Sequence, residues 1–142
     1  MKAILLSIAA AALLAGACRA PAPQPPREVV IWRPVGSWTG HGNMQTGSFT
    51  SDSGSFRVQW ETSNESSAGA GTFRVTLHSA ISGRPLLTAA DHLGVGKDTV
   101  YLHEDPRVSY FVIESANLDW SVAAEEAIVA TVSPSPPTVR TH

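Results

Sequence analysis

The sequence contains very little cysteine and no excess of charge of either sign. Cys18 is the only cysteine among 142 residues, so the chain cannot form an internal disulfide and its fold must rest on a hydrophobic core. Ten basic and twelve acidic residues give a formal net charge of −2. Such a balance lacks the basic surface that binds nucleic acid or an anionic membrane, so we expect no nucleic-acid partner.

Long apolar runs are also rare, and the one extended run lies near residue 1. Residues 3–14 are apolar apart from Ser7, which is shorter than the roughly 20 residues that a membrane-spanning helix needs. Lys2 precedes this run, and the small residues 15–17 follow it. This order of positive, apolar and small residues predicts a secretory signal peptide over residues 1–17.

The lone cysteine directly follows this predicted signal peptide. The stretch LAGAC, residues 14–18, resembles the lipobox of bacterial lipoproteins. In that family the cysteine receives a diacylglyceryl group and becomes the first residue of the mature chain, so the resemblance implies that Cys18 is a lipid attachment site and membrane anchor. Ala15 stands where the family most often has leucine. Because Ala15-Gly16-Ala17 also fits an ordinary signal peptidase, cleavage before an unmodified Cys18 is the alternative.

The residues after the cysteine add two expectations. Arg19 stands where the enterobacterial sorting pattern has aspartate in lipoproteins of the inner membrane, so the resemblance implies the outer membrane of a Gram-negative host. Four prolines in RAPAPQPPRE, residues 19–28, favour extended polyproline II structure. With Cys18 they form a predicted tether over residues 18–28, which would hold a folded domain away from a bilayer.

The rest of the chain alternates between apolar and polar residues with period two. SFRVQWE, TFRVTLHS and LDWSVAAE each place apolar side chains on one face, so Trp60 and Trp120 are expected in the core. Turn-rich segments separate such stretches. We predict strands at 29–32, 45–51, 55–62, 72–79, 85–92, 98–103, 108–115 and 118–129.

About eight short strands at this spacing predict an all-β fold, an antiparallel β-sandwich of jelly-roll or CUB-like outline. The predicted domain spans residues 29–130. The Pro/Ser/Thr-rich residues 131–142 are expected to be a disordered tail.

Four stretches, SWTGHGNMQTGSFT, FRVQWET, GTFRVTLHSA and SYFVIESANLDWSV, resemble small β-sandwich modules of bacterial envelope proteins. The shared pattern is a G-x-G loop, an aromatic strand ending in Trp, a Gly-led strand and a final SAN-x-x-W hairpin, and it covers roughly residues 36–128. The resemblance implies a fold and a place in the cell envelope, and it leaves the activity open. In the hairpin, Asn117 suits a left-handed turn.

Residues that could bind a metal are scattered. DH at 91–92 and HED at 103–105 could meet in a sandwich, and Asp52, Glu61 or Asp105 could serve calcium. No spacing singles out either site, and zinc-ligand spacing is absent, so we predict no metal and no cofactor. The histidines are His41, His78, His92, His103 and His142.

Catalytic residues are not indicated either. Ser53 and Ser55 lie in the hairpin SDSGS rather than in a strand-to-helix nucleophile elbow. A triad assembled from distant positions is the alternative, which would make the protein a small hydrolase. We expect a non-catalytic protein.

The expected function is therefore that of an exported, lipid-anchored module for binding or assembly in the cell envelope, with an envelope protein or a glycan as partner. The alternative is a soluble periplasmic or secreted module that binds a glycan or a peptide.

Binding residues are expected in the loops that carry Trp38, His41 and His103, because loops on a rigid scaffold often bind ligands. Trp38 is interpreted as either an exposed anchor or a lid on the core. The outward sheet faces are expected to be mixed and to lack a row of exposed aromatics, with Arg74 and Glu114 able to pair across strands. The predicted outward residues are Arg57, Gln59, Arg74, Thr76, His78, Tyr110, Val112 and Glu114.

Overall fold

The computed structural model describes residues 21–135, which form nine β-strands in two antiparallel sheets. The sheets face each other across one core, so the predicted all-β sandwich is confirmed. Cys18, the predicted signal peptide and His142 lie outside the described residues. The strands are β1 (Arg27–His41), β2 (Met44–Gln45), β3 (Phe49–Thr50), β4 (Ser55–Ser63), β5 (Thr72–Ser79), β6 (Pro85–Leu93), β7 (Gly96–His103), β8 (Val108–Ala116) and β9 (Asp119–Val132).

The strand order is that of a jelly roll. One sheet has the order β1-β9-β4-β7, and the other has β2-β8-β5-β6 with β3 also pairing β8. β2 and β3 lie one after the other along β8, so they act as a single interrupted strand. Counted this way, the strands form four successive antiparallel pairs, from the outermost β1·β9 to the innermost β5·β6. Such nested pairs are one long ribbon rolled into two sheets.

β1 is the main departure from the predicted strands. The predicted strand ends at residue 32, before Pro34 and Gly36, yet the strand pairs with β9 as far as His41. A register shift between Pro34 and Gly36 absorbs the irregularity, and proline is tolerated on an edge strand that has a neighbour on one side only. The prediction that Trp38 and His41 lie in a loop is therefore wrong.

Smaller departures concern strand ends. The predicted strand 45–51 is split into β2 and β3. β1 begins at Arg27 and β9 ends at Val132, so the paired strands extend two residues past each predicted limit of the domain, 29 and 130.

The core follows the predicted alternation. Trp60 and Trp120 are 7% and 3% exposed, as expected, and Phe111 and Ile113 also point inward. Trp38 is half-buried, with its ring 5.9 Å from that of Phe111, so it lies on the core as a lid rather than standing out as an anchor. The buried apolar residues are Phe56, Val58, Trp60, Phe73, Val75, Leu77, Ala89, Ala90, Leu102, Phe111, Ile113, Leu118, Trp120, Val122 and Ala124.

The turn between β8 and β9 is also as predicted. Asn117 has a φ of 61°, in the left-handed region, and its side-chain amide donates to the Ala70 carbonyl at 2.9 Å. The chain then turns Trp120 into the core, where the indole N–H donates to the Gly42 carbonyl at 2.8 Å. This turn therefore fixes the crossing from one sheet to the other.

A charged side chain, Glu126, occupies an inward position of β9 and is fully buried. One carboxylate oxygen accepts hydrogen bonds from the backbone N–H groups of Asp52 and Ser53, at 2.6 and 2.7 Å, and from the Ser51 hydroxyl. The other oxygen accepts from Arg33. Burial opposes ionisation, but these donors outweigh it and lower the pKa of Glu126 to about 2. Glu126 thus ties the 51–54 turn to β9 as a buried anion.

No helix in residues 21–135 is long and apolar enough to cross a membrane.

Candidate functional site

The outer face of the four-stranded sheet carries a shallow trough. Its two central strands, β9 and β4, present small or slender side chains there, including Ser121 and Ala123 on β9, while bulkier groups stand at both ends. The depression has a volume of about 660 Å³. We call this surface the trough; the side chains that form its floor are Ser37, Thr39, Gln59, Glu61, Lys97, Thr99, Ser121 and Ala123.

The register of the strands places these floor residues in two rows. Ala123 lies between Ser37 and Gln59, and Gln59 faces Thr99. One row further along, Ser121 lies between Thr39 and Glu61, and Glu61 faces Lys97. Residues directly opposite each other in an antiparallel sheet share a face. The floor therefore offers hydroxyls, an amide, a carboxylate and an ammonium group to one ligand.

Two aromatic rings lie beyond one end of the trough, past the row that contains Gln59 and Thr99. Trp32 on β1 and Tyr101 on β7 come from opposite edges of the sheet, and their ring centroids are 5.9 Å apart. Arg57 on β4 fixes them, because its guanidinium carbon lies 4.5 Å from the centre of the Trp32 ring while its Nε donates to Glu125 at 2.7 Å. Tyr101 is 67% exposed. The result is an exposed aromatic ring on a support held by an ion pair.

An acid–imidazole pair closes the other end. A hydrogen bond of 2.8 Å joins His41 Nδ1 to one carboxylate oxygen of Asp119, and the side-chain amide of Asn64 donates to the other oxygen at 2.8 Å. The bond from Asn64, followed by that from His41, lowers the pKa of Asp119. A depression of about 600 Å³ at this end shares Thr39, Glu61 and Ser121 with the trough, so the two are continuous.

Most charged side chains along the trough have a polar partner. Arg57 is paired with Glu125 at the aromatic end, Glu61 faces Lys97 on the floor, and Asp119 is bonded to His41 at the far end. Asp98 also lines the trough and joins no salt bridge among the described residues, so carboxylates outnumber Arg and Lys side chains along this surface.

The residues predicted for binding only partly meet at this site. His41 belongs to it, as the last residue of β1, while Trp38 points the other way, into the core. His103 is the last residue of β7, and its Nδ1 lies 3.0 Å from the Ser55 hydroxyl. Residues 91–92 lie near the beginning of β7 and His103 lies at its end, about 23 Å away along the strand. The DH and HED motifs therefore do not meet.

The remaining histidines have structural partners. His78 Nδ1 lies 3.1 Å from the Gly83 carbonyl and its ring stacks on Tyr110, and the His92 ring packs 5.0 Å from the Trp60 ring. Asp52, Glu61 and Asp105, considered above as calcium ligands, lie apart: Asp52 is bound to Arg33, Asp105 lies beside Arg107, and Glu61 lies in the trough. Across residues 21–135 no three His, Cys, Asp or Glu side chains converge as a metal site would require.

The serine, histidine and carboxylate residues that the hydrolase alternative would need are also separated from one another. Ser55 and His103 pair at the first residue of β4, whereas the His41–Asp119 pair lies beside Ser63, the last residue of that strand. Ser53 is occupied in donating to Glu126. Within the described chain, no Ser, His and carboxylate are joined by hydrogen bonds into one relay.

The predicted outward residues divide between the two sheets. Arg57 and Gln59 lie at the trough, while the other six lie on the outer face of the five-stranded sheet. Arg74 on β5 does face Glu114 on the neighbouring strand β8, but its guanidinium pairs with Asp91 on β6 at 2.9 Å. The expected Arg74–Glu114 pair is therefore replaced by a pair with the other neighbouring strand.

The prediction missed Trp32 and Tyr101. Both lie in predicted strands, and the alternation around Tyr101, with Leu102 buried beside it, indicates an outward ring. Their proximity depends on the order of four strands. Of the two, only Tyr101 is strongly exposed, so they do not form a row of exposed aromatics.

No protein-family model, no curated protein and no solved structure matches this chain.

Proposed function

We propose that this protein is an exported lipoprotein, anchored in the membrane through Cys18, whose β-sandwich is a non-catalytic module that binds a glycan in the trough. The observation that carries the proposal is the trough itself: a long polar surface with an exposed aromatic ring beyond one end.

The composition of the trough favours an uncharged polar ligand. Gln59, Glu61 and Thr99 offer both donors and acceptors, as the hydroxyl groups of a sugar require. Anionic ligands gain little here, because Arg57 and Lys97 each already have a carboxylate neighbour. From Arg57 to Ser63 the strand extends about 20 Å, which suits an elongated chain rather than a single small molecule.

The aromatic rings beyond one end of the trough add an apolar stacking contact, which polar groups cannot supply. Tyr101 presents its ring at the surface beside the Trp32 ring, over which Arg57 lies. An aromatic ring buries apolar area while keeping a polar tip in water, and the apolar face of a sugar ring can stack on it. A rigid ring loses little conformational freedom on binding, which favours affinity.

A glycan fits this surface better than a peptide does. Extended peptides are commonly bound by adding a strand to a sheet edge, where backbone groups are free. The floor of the trough lies instead on β9 and β4, each of which already has a strand on both sides. Recognition there must go through side chains, as for a sugar.

Binding can be tested with a substitution that fills the trough. The protein, extracted in mild detergent, would be screened against an array of soluble oligosaccharides, and the affinity for any bound sugar measured by calorimetry. We expect Ala123→Trp to abolish binding and Tyr101→Ala to weaken it at least about tenfold, or about 1.4 kcal/mol.

The matched control is Val112→Trp, which adds the same side chain to the outer face of the five-stranded sheet. It should leave binding intact. Equal loss in both tryptophan variants, or binding of no glycan by the folded wild-type protein at millimolar concentration, would contradict the proposal.

A further inference from the structure

The outer face of the four-stranded sheet carries one more polar row past Tyr101. His103 lies two residues further along β7, directly opposite Ser55, the first residue of β4. Because Arg57 faces Tyr101 in the preceding outward row, all four side chains share the outer face of the sheet. Leu102, between Tyr101 and His103, is buried, as the alternation of an outward pair requires. The surface that holds the trough therefore does not end at the aromatic rings.

Tyr101 stands between two hydrogen-bonding residues of its own strand. Thr99, in the floor of the trough, precedes it by two positions, and His103 follows it by two positions. Each is therefore about 7 Å away along β7 and points to the same side. A sugar unit stacked on the exposed ring of Tyr101 has a polar side chain both before and after it. This placement suits a unit inside a chain, which continues in both directions along the strand.

The contact between Ser55 and His103 leaves one imidazole nitrogen for a ligand. Nδ1 lies 3.0 Å from the Ser55 hydroxyl, and this is the only hydrogen bond of the exposed His103 ring in the described part of the chain. The other described histidines have further partners: His41 is bonded to a carboxylate, and His78 and His92 pack against aromatic rings. The Ser55 contact orients the His103 ring, and Nε2 can donate to or accept from a sugar hydroxyl.

We propose that Ser55 and His103 form a further glycan subsite beyond the aromatic rings, so that the ligand is a linear, uncharged oligosaccharide that crosses Tyr101. The inference rests on the proposed binding of a glycan in the trough. It adds a position for the next sugar unit and assigns the size of the ligand. Within one chain the additional contact is intramolecular, so even a single hydrogen bond to His103 adds to the affinity.

The length of the surface supports an extended chain. From Ser55 to Ser63, β4 extends about 26 Å, and outward hydroxyl, amide and carboxylate groups of Ser55, Gln59, Glu61 and Ser63 lie along it. A short sugar can occupy only one part of this strip. A β-1,4-linked chain is itself extended and offers hydroxyl groups along its whole length, so it can contact the trough, stack on Tyr101 and reach the subsite together.

The test is calorimetry of the full-length protein in mild detergent with β-1,4-linked N-acetylglucosamine oligomers of two to six units. We expect the affinity to rise along the series up to the hexamer. His103→Ala should lower the affinity for the hexamer at least about tenfold. His103→Gln should keep most of it, because the amide nitrogen can take the place of Nε2. The matched control His78→Ala removes an exposed imidazole from the other sheet and should leave binding unchanged. Near-ultraviolet circular dichroism checks that each variant is folded.

Three outcomes would overturn this inference and leave glycan binding in the trough intact. Equal affinities for the dimer and the hexamer would show that the ligand does not extend past Tyr101. Equal affinities of His103→Ala and His78→Ala for the hexamer would exclude the subsite. Binding of none of these oligomers, with another sugar bound by the wild-type protein and lost in Ala123→Trp, would exclude a linear, uncharged chain. Binding of no glycan at all would contradict the proposed function as well.

Discussion

Arg33, on the edge strand β1, donates a hydrogen bond of 2.5 Å to the fully buried carboxylate of Glu126 on β9, while the same nitrogen lies 2.7 Å from Asp52. The guanidinium therefore joins a buried anion to an exposed one, and the hydrogen bonds to Asp52 and Glu126 raise the pKa of Arg33 further above its ordinary value. Because Glu126 also holds the 51–54 turn, one buried carboxylate fixes two strands and a turn at the point where the pairing of β4 with β9 ends.

The first prediction concerns the stability that Glu126 provides. Its pKa of about 2 in the folded protein, against an ordinary 4.5, corresponds to about 3 kcal/mol. Because the folded pKa is the lower one, this contribution is complete above pH 4.5 and is lost as the pH falls from 4.5 towards 2. Glu126→Gln should lower the free energy of unfolding by about 3 kcal/mol at pH 7 and by much less at pH 2.5, measured by urea denaturation.

The control for this prediction is Glu114→Gln. Glu114 is exposed on the other sheet, so its substitution should change stability by less than about 0.5 kcal/mol at either pH. If the difference between the wild-type and Glu126→Gln proteins stays constant from pH 7 to pH 2.5, Glu126 is not the group that titrates.

Alternation predicts the burial of Glu126 only in part. Leu118, Trp120, Val122 and Ala124 are all inward, and the next inward position of the strand is residue 126. The pattern thus places it in the core, but a glutamate there conflicts with its charge. The partners that resolve the conflict include Arg33, 93 positions away, and no local pattern indicates such a pairing.

The same limit applies to the trough. The faces of individual strands were predictable, because period two follows from the geometry of one strand. The neighbours of each strand were not, since they follow from the jelly-roll order of the whole chain. Trp32 and Tyr101 are 69 positions apart and meet only because β1 and β7 are the two edges of one sheet.

The second prediction compares two buried tryptophans. The indole N–H of Trp120 donates to the Gly42 carbonyl at 2.8 Å, whereas that of Trp60 has no hydrogen-bond partner among the described residues. Both Trp→Ala variants should lose about 3–5 kcal/mol, since each leaves a large cavity. Replacement by phenylalanine should separate them: Trp120→Phe should cost about 1 kcal/mol more than Trp60→Phe, because it also loses a buried hydrogen bond. Urea denaturation measures both, and equal costs would show that the Gly42 contact contributes nothing.

The third prediction concerns the acid at the far end of the trough. The hydrogen bond from Asn64 is the largest cause of the lowered pKa of Asp119, ahead of that from His41. Asn64→Gly removes the amide and keeps the backbone, because glycine adopts the φ of 51° without strain. The pKa of Asp119, followed by NMR of the side-chain carboxyl carbon, should rise towards its ordinary value in Asn64→Gly, and by more than in His41→Ala. A larger rise in His41→Ala would make the imidazole the main partner.

The fourth prediction concerns the proposed anchor. Cys18 lies nine positions before the first residue of β1, and the sandwich core is built from residues 56 to 124, so the cysteine can be changed without touching the core. Two or more acyl chains at Cys18 would hold the protein stably on a membrane, since each buried methylene contributes about 0.8 kcal/mol. Cys18→Ser should therefore move the protein from the membrane fraction to the soluble fraction and leave its denaturation midpoint unchanged.

The neighbouring substitution Ala20→Ser tests whether any change in this segment has the same effect. It alters the tether without altering the cysteine, so the protein should stay in the membrane fraction with the mass of a chain that begins at Cys18 and carries two or more acyl groups. Intact-mass spectrometry distinguishes the possibilities, because cleavage before an unmodified Cys18 gives the same first residue without the added lipid. Wild-type protein that is soluble after export, with that unmodified mass, would show that Cys18 is not an anchor, and the module would then act as a free binding protein.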